Sequence, residues 1–429
     1  MNRAPTGQPA LPGPQDILRT VLPNGIVLLH RFNPNSPSVF LTGHIHAGSL
    51  FDSEDKLGLA GFTAMSLMRG TQKRDFQAIF DALESCGAGL SFGGGVHVTS
   101  FSGRALVEDF RLLVTLLAEA VRYPTFPAGQ VEKLRAQILT HLDIRAHDTA
   151  EMAALAFDQI LFAGHPYRHP EDGWPETIRG IRVEDLVDFH RHCYGPRGML
   201  LAVVGAVEKE RVVAEVEKAL GDWHNPEQRK AQDMPPYRPL RKTRTRRVRI
   251  AGKSQSDLVV GTHGPRRRDP DYIAASLSNS IFGEFGLMGR IGESLREKAG
   301  LAYYAGSSLS AGVGPGTWRV SAGVNPMNVE NACQLVQDEI LRLIRSGVSR
   351  EELEDSQANY VGRLPLALEH NAGVAGALVS MERYELGLDY LQRYPDLVRA
   401  VTPEMILEVS RRYWHADRLA IAVAGPGER

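Results

Sequence analysis

The sequence predicts an α+β fold built twice. Two homologous α/β-sandwich domains, each a mostly antiparallel sheet with helices packed on it, are expected to face each other across a cavity. Three observations predict this. Strand-like and helix-like segments follow one another in the same order in both halves of the 429 residues. The two endings superpose without a gap: PETIRGIRVEDLVDFHRHCYGPRGMLLAVVG (175–205) lies over PDLVRAVTPEMILEVSRRYWHADRLAIAVAG (395–425) at a constant offset of 220, with Pro, Arg, Glu, Ala, Val and Gly coinciding. A self-similar stretch that keeps a helix-then-apolar-strand pattern is the signature of duplication. Between the halves, HNPEQRKAQDMPPYRPLRKT is polar, Pro-bearing and without apolar periodicity, which marks a linker. The expected organisation is a disordered lead over 1–17, a first domain over 18–223, a linker over 224–244 and a second domain over 245–429.

In chain order, LPNGIVLLHRF (22–32) is a turn feeding a strand, and VFLTGHIHAGS (39–49) a second strand. Helical patterns cover 57–68 and 74–86, and GLSFGGGVHVTSFSG (89–103) is a Gly-joined hairpin. Long helices are expected over 106–122, 130–147 and 150–162, then a helix from Val183 and the apolar strand MLLAVVG. The second half repeats the scheme with strands at 245–250 and 257–262, and helices at 272–282 and 287–298. The hairpin LAYYAGSSLSAGVGPGTWRVSAG and long helices from Asn328 follow. A helix from Thr402 and the strand LAIAVAG close the chain.

Composition excludes several function classes. With 49 Lys and Arg against 50 Asp and Glu, the chain has no overall charge that would draw it to nucleic acid or an anionic membrane. The basic run Arg241–Arg249 is the local exception and is expected to be a solvated linker and edge strand. No stretch approaches the roughly 20 apolar residues of a membrane helix. The Pro- and Gly-rich N-terminus lacks the apolar run of a signal peptide. Cys86, Cys193 and Cys333 lie far apart without CxxC spacing, as expected in a reducing compartment. The expected location is therefore cytoplasmic.

Five segments, taken in order, carry a resemblance: LPNGIVLL, AGSLFDSEDKLGLAGF, HPYRHPEDGWPETI, GKSQSDLVVG and LREKAGLAYY. Together they resemble the pitrilysin/insulinase zinc peptidases, and within them the bacterial subunits related to the mitochondrial processing peptidase. The resemblance spans about residues 18–427. It implies an inverted zinc motif, His-x-x-Glu-His, on the first helix, with a Glu ligand further on. Two His at i and i+4 share a helix face and bind the metal, and the Glu beside them serves as general base. Here the matching positions are Gly61 and Met65 for the two His, Ala64 for the base and Leu142 for the distant ligand. Gly, Ala and Leu have no donor, and a lone thioether suits zinc poorly. Without metal, bound water does not undergo the fall in pKa from about 15.7 to about 7 that supplies hydroxide at neutral pH. Leu142 also continues the helical stripe of Val131, Leu134 and Ile138. No zinc and no catalytic residue are therefore expected in this chain alone.

The resemblance further implies that an Arg and a Tyr seven residues apart, here Arg296 and Tyr303, steady the scissile peptide and its oxyanion. A guanidinium offers forked donors to carbonyls, and a phenol donates to developing negative charge. Alternatively, Arg296 caps a helix end and Tyr303 packs in a strand. In IFGEFGLMG, the glycines Gly283, Gly286 and Gly289 stand where processing-peptidase relatives carry a mobile glycine-rich loop, and a helix–helix turn is the other reading. The implied partner is a homologous HxxEH-containing subunit holding the zinc, in a heterodimer, with a homodimer as the other arrangement; the substrate is a peptide. A second function is an inactive scaffold or peptide-binding protein, taking extended peptides by strand addition. A third is a hydrolase using His44 and His46 with another metal, although no carboxylate or Cys lies near them in sequence. His165, His169, His190 and His192 are expected to be structural, and Gly93–Gly95 lack the context of a nucleotide loop.

Overall fold

The computed structural model describes residues 11–231, 234–284 and 289–426. Residues 1–10 of the expected lead and Gly286 lie outside these. Residues 13–16 form a turn in which the Gly13 N–H donates to the Asp16 carboxylate at 2.7 Å.

Strand β1 (Ile17–Val21) and β2 (Val27–Phe32) form a hairpin whose turn places Gly25 at φ 92. The left-handed conformation there is the one glycine adopts without steric cost. The other strands of the first sheet are β3 (Ser38–Ile45), β4 (Gly89–Gly94), β5 (Thr99–Leu106) and β6 (Leu200–Gly205), in the order β1-β2-β6-β3-β5-β4. The second sheet contains β7 (Arg244–Arg249), β8 (Ser256–Gly264), β9 (Ala302–Ser310), β10 (Gly316–Val324) and β11 (Ala420–Gly425), in the order β7-β11-β8-β10-β9. Each sheet has one parallel pair, β2 with β6 and β7 with β11, and is otherwise antiparallel. With β1 set aside, the two sheets share one topology. The α+β class and the duplication are both present in the structure. β6 and β11 are buried at every residue, as the continuous apolar runs LLAVVG and AIAVAG require of strands covered on both faces.

Contacts divide the chain into two compact units, neither of them a continuous stretch. One comprises residues 1–138, 171–232 and 362–395, the other 139–170, 233–361 and 396–429. In the first unit, the helix Asn371–Arg383 packs on β3 and β6 with Val374, Ala375, Leu378 and Met381 buried. It is pinned at both ends. Asn371 donates to the Ser38 carbonyl at 3.0 Å and accepts from Asn33 at 2.7 Å, while Arg19 makes a two-pronged bond to Glu382 at 2.9 and 2.7 Å. In the second unit, the helix Thr149–Leu161 packs on β7, β8 and β11. Its Ala153, Ala156, Phe157, Ile160 and Leu161 meet Val259, Ala420, Ala422 and Ala424. Alanine on both surfaces lets helix and sheet approach closely and leaves Phe157 to fill the remaining space. The covering helix of each sheet therefore comes from the other half of the sequence. A sheet whose apolar face has lost its cover is not expected to be stable alone. Polypeptides 1–223 and 245–429, produced separately, are each expected to lack a cooperative thermal transition by circular dichroism. Produced together, they are expected to recover one transition and to elute as a single species.

Burial also sets a pH dependence. The His190 Nε2 lies 2.8 Å from the Val121 carbonyl oxygen, and burial pushes the ring pKa down to about 4. An unfolded histidine titrates near 6.5. Between these values the unfolded chain binds the proton and the native chain does not, so the stabilisation present above about 6.5 is lost as pH falls toward 4. His190→Gln retains an N–H for the Val121 carbonyl but takes up no proton. Its urea midpoint is expected to fall less between pH 6.5 and 4 than that of the wild type.

Candidate functional site

The helix Leu59–Ser66 carries three of the positions that the resemblance assigns to zinc chemistry. It starts at Gly58, whose φ of 93 is left-handed and whose added Cβ would come 2.9 Å from the Asp172 carbonyl oxygen. The Asp52 carboxylate closes this end, accepting the N–H of Gly58 at 2.9 Å and of Ala60 at 3.0 Å. Burial pushes the Asp52 pKa up to about 7, against the opposing pull of those N–H bonds. Thr63 and Ser66 return their hydroxyls to carbonyls one turn back, at 2.8 and 2.7 Å, so polar side chains within the buried helix are satisfied.

Beside this helix runs β4, an edge strand of the first sheet. A Cβ built on Gly94 would lie 2.6 Å from the Gly61 Cα, so helix and strand touch backbone to backbone. A Cβ on Gly61 itself would meet only the Glu171 carbonyl oxygen, at 3.4 Å. Ala64 is 1% exposed and Met65 37%. Leu142 is 1% exposed on the helix Ala128–Ala146, where Val131, Leu134 and Ile138 are buried with it, and it belongs to a segment of the second unit. Among these four residues only Met65 has a heteroatom in its side chain, a soft thioether, so the set does not fit zinc. Among the described residues no group of three or more His, Cys, Asp or Glu is placed to hold a metal ion.

One nearby carboxylate escaped the sequence reading. Glu171 accepts the Val96 N–H, and burial of its carboxyl raises its pKa. Its carboxylate lies 3.8 Å from a Cβ built on Gly95, while its backbone carbonyl is the atom that faces Gly61; these contacts join segments far apart in the chain, so neither periodicity nor spacing signals them.

In the second unit, β9 is the corresponding edge strand. Arg296 lies on an irregular helical segment, Glu293–Lys298, with its side chain 44% exposed and Glu297 at 3.8 Å. Tyr303, on β9, is 81% exposed. At that exposure the Tyr303 ring is not packed in a core. Its neighbour Tyr304 contrasts sharply. The Tyr304 hydroxyl donates to Asp257 at 2.5 Å, and Gln255 and Thr149 also donate to that carboxylate, which is 2% exposed. The network ties β8, β9 and the N-terminal residue of the helix Thr149–Leu161 together.

Gly283 and Gly289 have packing roles. A Cβ on Gly289 would lie 2.7 Å from the Gly283 Cα, and one on Gly283 2.7 Å from the Ser307 N of β9.

His44, His46, His165, His169 and His192 have identifiable neighbours. His44 and His46 stack with centroids 5.7 Å apart; burial, then Arg383 and His46, push the His44 pKa down to about 3. The His165 Nδ1 accepts the Tyr167 N–H, Arg168 donates to His169, and the His192 Nδ1 lies 2.7 Å from the Asp188 carbonyl oxygen. Cys86, Cys193 and Cys333 are free thiols. Among the described residues no helix is long and apolar enough to cross a membrane.

Comparison with known proteins agrees with this architecture. The family model described as Insulinase (Peptidase family M16) matches residues 27–165, and that of the Peptidase M16 inactive domain matches residues 180–360. An uncharacterized zinc protease of Streptomyces coelicolor is 24% identical over 96% of this chain and 90% of its own length. Subunit 1 of the mitochondrial cytochrome b-c1 complex of Mus musculus is 28% identical over 56% of this chain and 50% of its own. A solved structure of a peptidase M16 inactive domain from Pseudomonas fluorescens superposes with a TM-score of 0.88 at 26% identity, covering 96% of this chain and 98% of that one. The order of strands, the helix that carries Gly61, Ala64 and Met65, and these matches lead to one assignment: the chain belongs to the M16 insulinase family of zinc peptidases, as a member without that family's zinc motif.

Proposed function

We propose that this chain is a non-catalytic subunit of a two-subunit metallopeptidase. It holds an extended peptide and lends Arg296 and Tyr303 to a homologous, zinc-bearing HxxEH partner. The observation that carries this reading is a pairing within one chain. A helix face without metal donors coexists with a partly exposed arginine and a largely exposed tyrosine. The edge strands β4 and β9 offer backbone N–H and C=O groups to a peptide added as a further strand. Zinc and general base come from the partner; the guanidinium and phenol donate to the peptide carbonyl and to its developing oxyanion. Free thiols suit a reducing, cytoplasmic setting.

A scaffold role is the second reading, favoured by the relative whose name makes it a subunit of the cytochrome b-c1 complex. Under it, the isolated chain binds extended peptides, and Arg296 and Tyr303 carry no catalytic weight.

Co-expression with an HxxEH homologue from the same genome separates the two. Under the first reading a complex forms that cleaves peptides, and Arg296→Ala or Tyr303→Phe lowers kcat by about 100-fold, the scale of losing one oxyanion donor. Both side chains are exposed, so thermal melting of the complex is expected to stay unchanged. Wild-type kcat in both variants would remove the role given to the pair.

A further inference from the structure

The basic run that the sequence left as a solvated edge is concentrated on one strand. Residues 238–253 hold eight Lys or Arg and no Asp or Glu, whereas the other 41 basic residues of the chain face 50 acidic ones. Within this run β7, RTRRVR, is an edge strand of the second sheet. Its inner side pairs in parallel with β11, and its outer side carries no ladder. Five of its six residues are exposed.

The arginines are divided between the two faces of the sheet. Register with β11 places Arg244, Arg246 and Val248 on the face of Ala420, Ala422 and Ala424, where Val248 packs against the core beneath the helix Thr149–Leu161. Thr245, Arg247 and Arg249 lie on the opposite face. Arg246 donates to Gln159 on the first face, and Arg247 bonds Glu330 on the second. The side chains of Arg244 and Arg249, one at each end and one on each face, make no hydrogen bond or ion pair among the described residues.

A sheet of phosphates, whether in a duplex or at a membrane, is met by cations gathered on a single surface. Cations above and below an open backbone edge fit a different shape. We infer that β7 is a docking edge for an extended acidic segment of a partner polypeptide. This segment adds as a further strand and carries carboxylates on both of its faces. Main-chain hydrogen bonds to the outer side of β7 supply the pairing, and Arg244 and Arg249 select negative charge. This edge is separate from β9, where Arg296 and Tyr303 lie, and its role does not depend on the function proposed for that pair.

The test uses the full-length chain and an acetylated, amidated, fluorescent peptide, Glu-Thr-Glu-Glu-Val-Glu, the charge complement of β7. Three further probes are the same peptide with alternate backbone nitrogens methylated, a Lys-for-Glu version, and a DNA duplex alongside phosphatidylserine vesicles. Expected are saturable binding of the acidic peptide that weakens with added salt, and no binding of the methylated or Lys versions. In the Arg244→Glu/Arg249→Glu double variant, affinity is expected to fall by about tenfold or more with an unchanged melting curve. Equal binding of the methylated peptide overturns strand addition. Tighter binding of duplex or vesicles than of the peptide, or wild-type affinity in the double variant, overturns the assignment altogether.

Discussion

The fold depends on an exchange of covering helices. An apolar sheet face is stable only when something apolar lies on it. Here Ala420, Ala422 and Ala424 are covered by a helix that precedes them by more than 250 residues. In the first unit β3 and β6 are covered by the helix Asn371–Arg383, which lies far downstream of both strands in the chain. Contacts of such sequence separation cost loop-closure entropy that rises only slowly with length, so the exchange is inexpensive thermodynamically. The consequence is cooperative: loosening either helix uncovers a sheet built from the other half of the chain. A duplicated sequence thereby becomes a single folding problem.

Against that frame, the helix Leu59–Ser66 keeps the geometry of a catalytic element without its chemistry. Its N-terminus is closed by Asp52, its inner hydroxyls are satisfied, and its first turn lies against β4 through the Gly61–Gly94 contact. The general-base position is sealed, since Ala64 is 1% exposed and a carboxylate there would be a buried charge. The two flanking ligand positions are not sealed: Met65 is partly exposed, and Gly61 has room for a Cβ. Shape and chemistry separate at the level of single side chains.

Much of this was legible in the sequence because it is local. Periodicity of 2 and 3.6 located most strands and helices, and the constant offset of 220 exposed the duplication. That Gly61, Ala64 and Leu142 lack a side-chain donor is a property of residue type and needs no structure. What stayed hidden is long-range. The strand β1 carries no clear signal of its own, because ILRTV is short and its partner begins only after a glycine turn. The helix Lys209–Leu220 was passed over between a strand and the linker. No local pattern shows that Thr149–Leu161 covers β11, or that Glu171 stands beside Gly61. Gly283 and Gly289 read as a loop composition, yet each sits where two backbones meet, a fact about packing that composition does not encode.

Stability explains some of the retained side chains and not others, and the tandem tyrosines make the distinction within two residues. Tyr304 is held by the buried Asp257 carboxylate, which also takes Thr149 and Gln255. Removing its hydroxyl would cost a charge-assisted bond in a buried network, of the order of 1.5–3 kcal/mol. Tyr303 contributes nothing comparable. At 81% exposure it buries little area, and its hydroxyl has no hydrogen-bond partner among the described residues. A strand that needed only a residue of high β-propensity there would be served by threonine or valine. An aromatic ring with a hydrogen-bond donor at its tip, standing in solvent on an edge strand, is suited to meeting something outside the chain. Our assignment of Tyr303 to a peptide rather than to the fold rests on that imbalance.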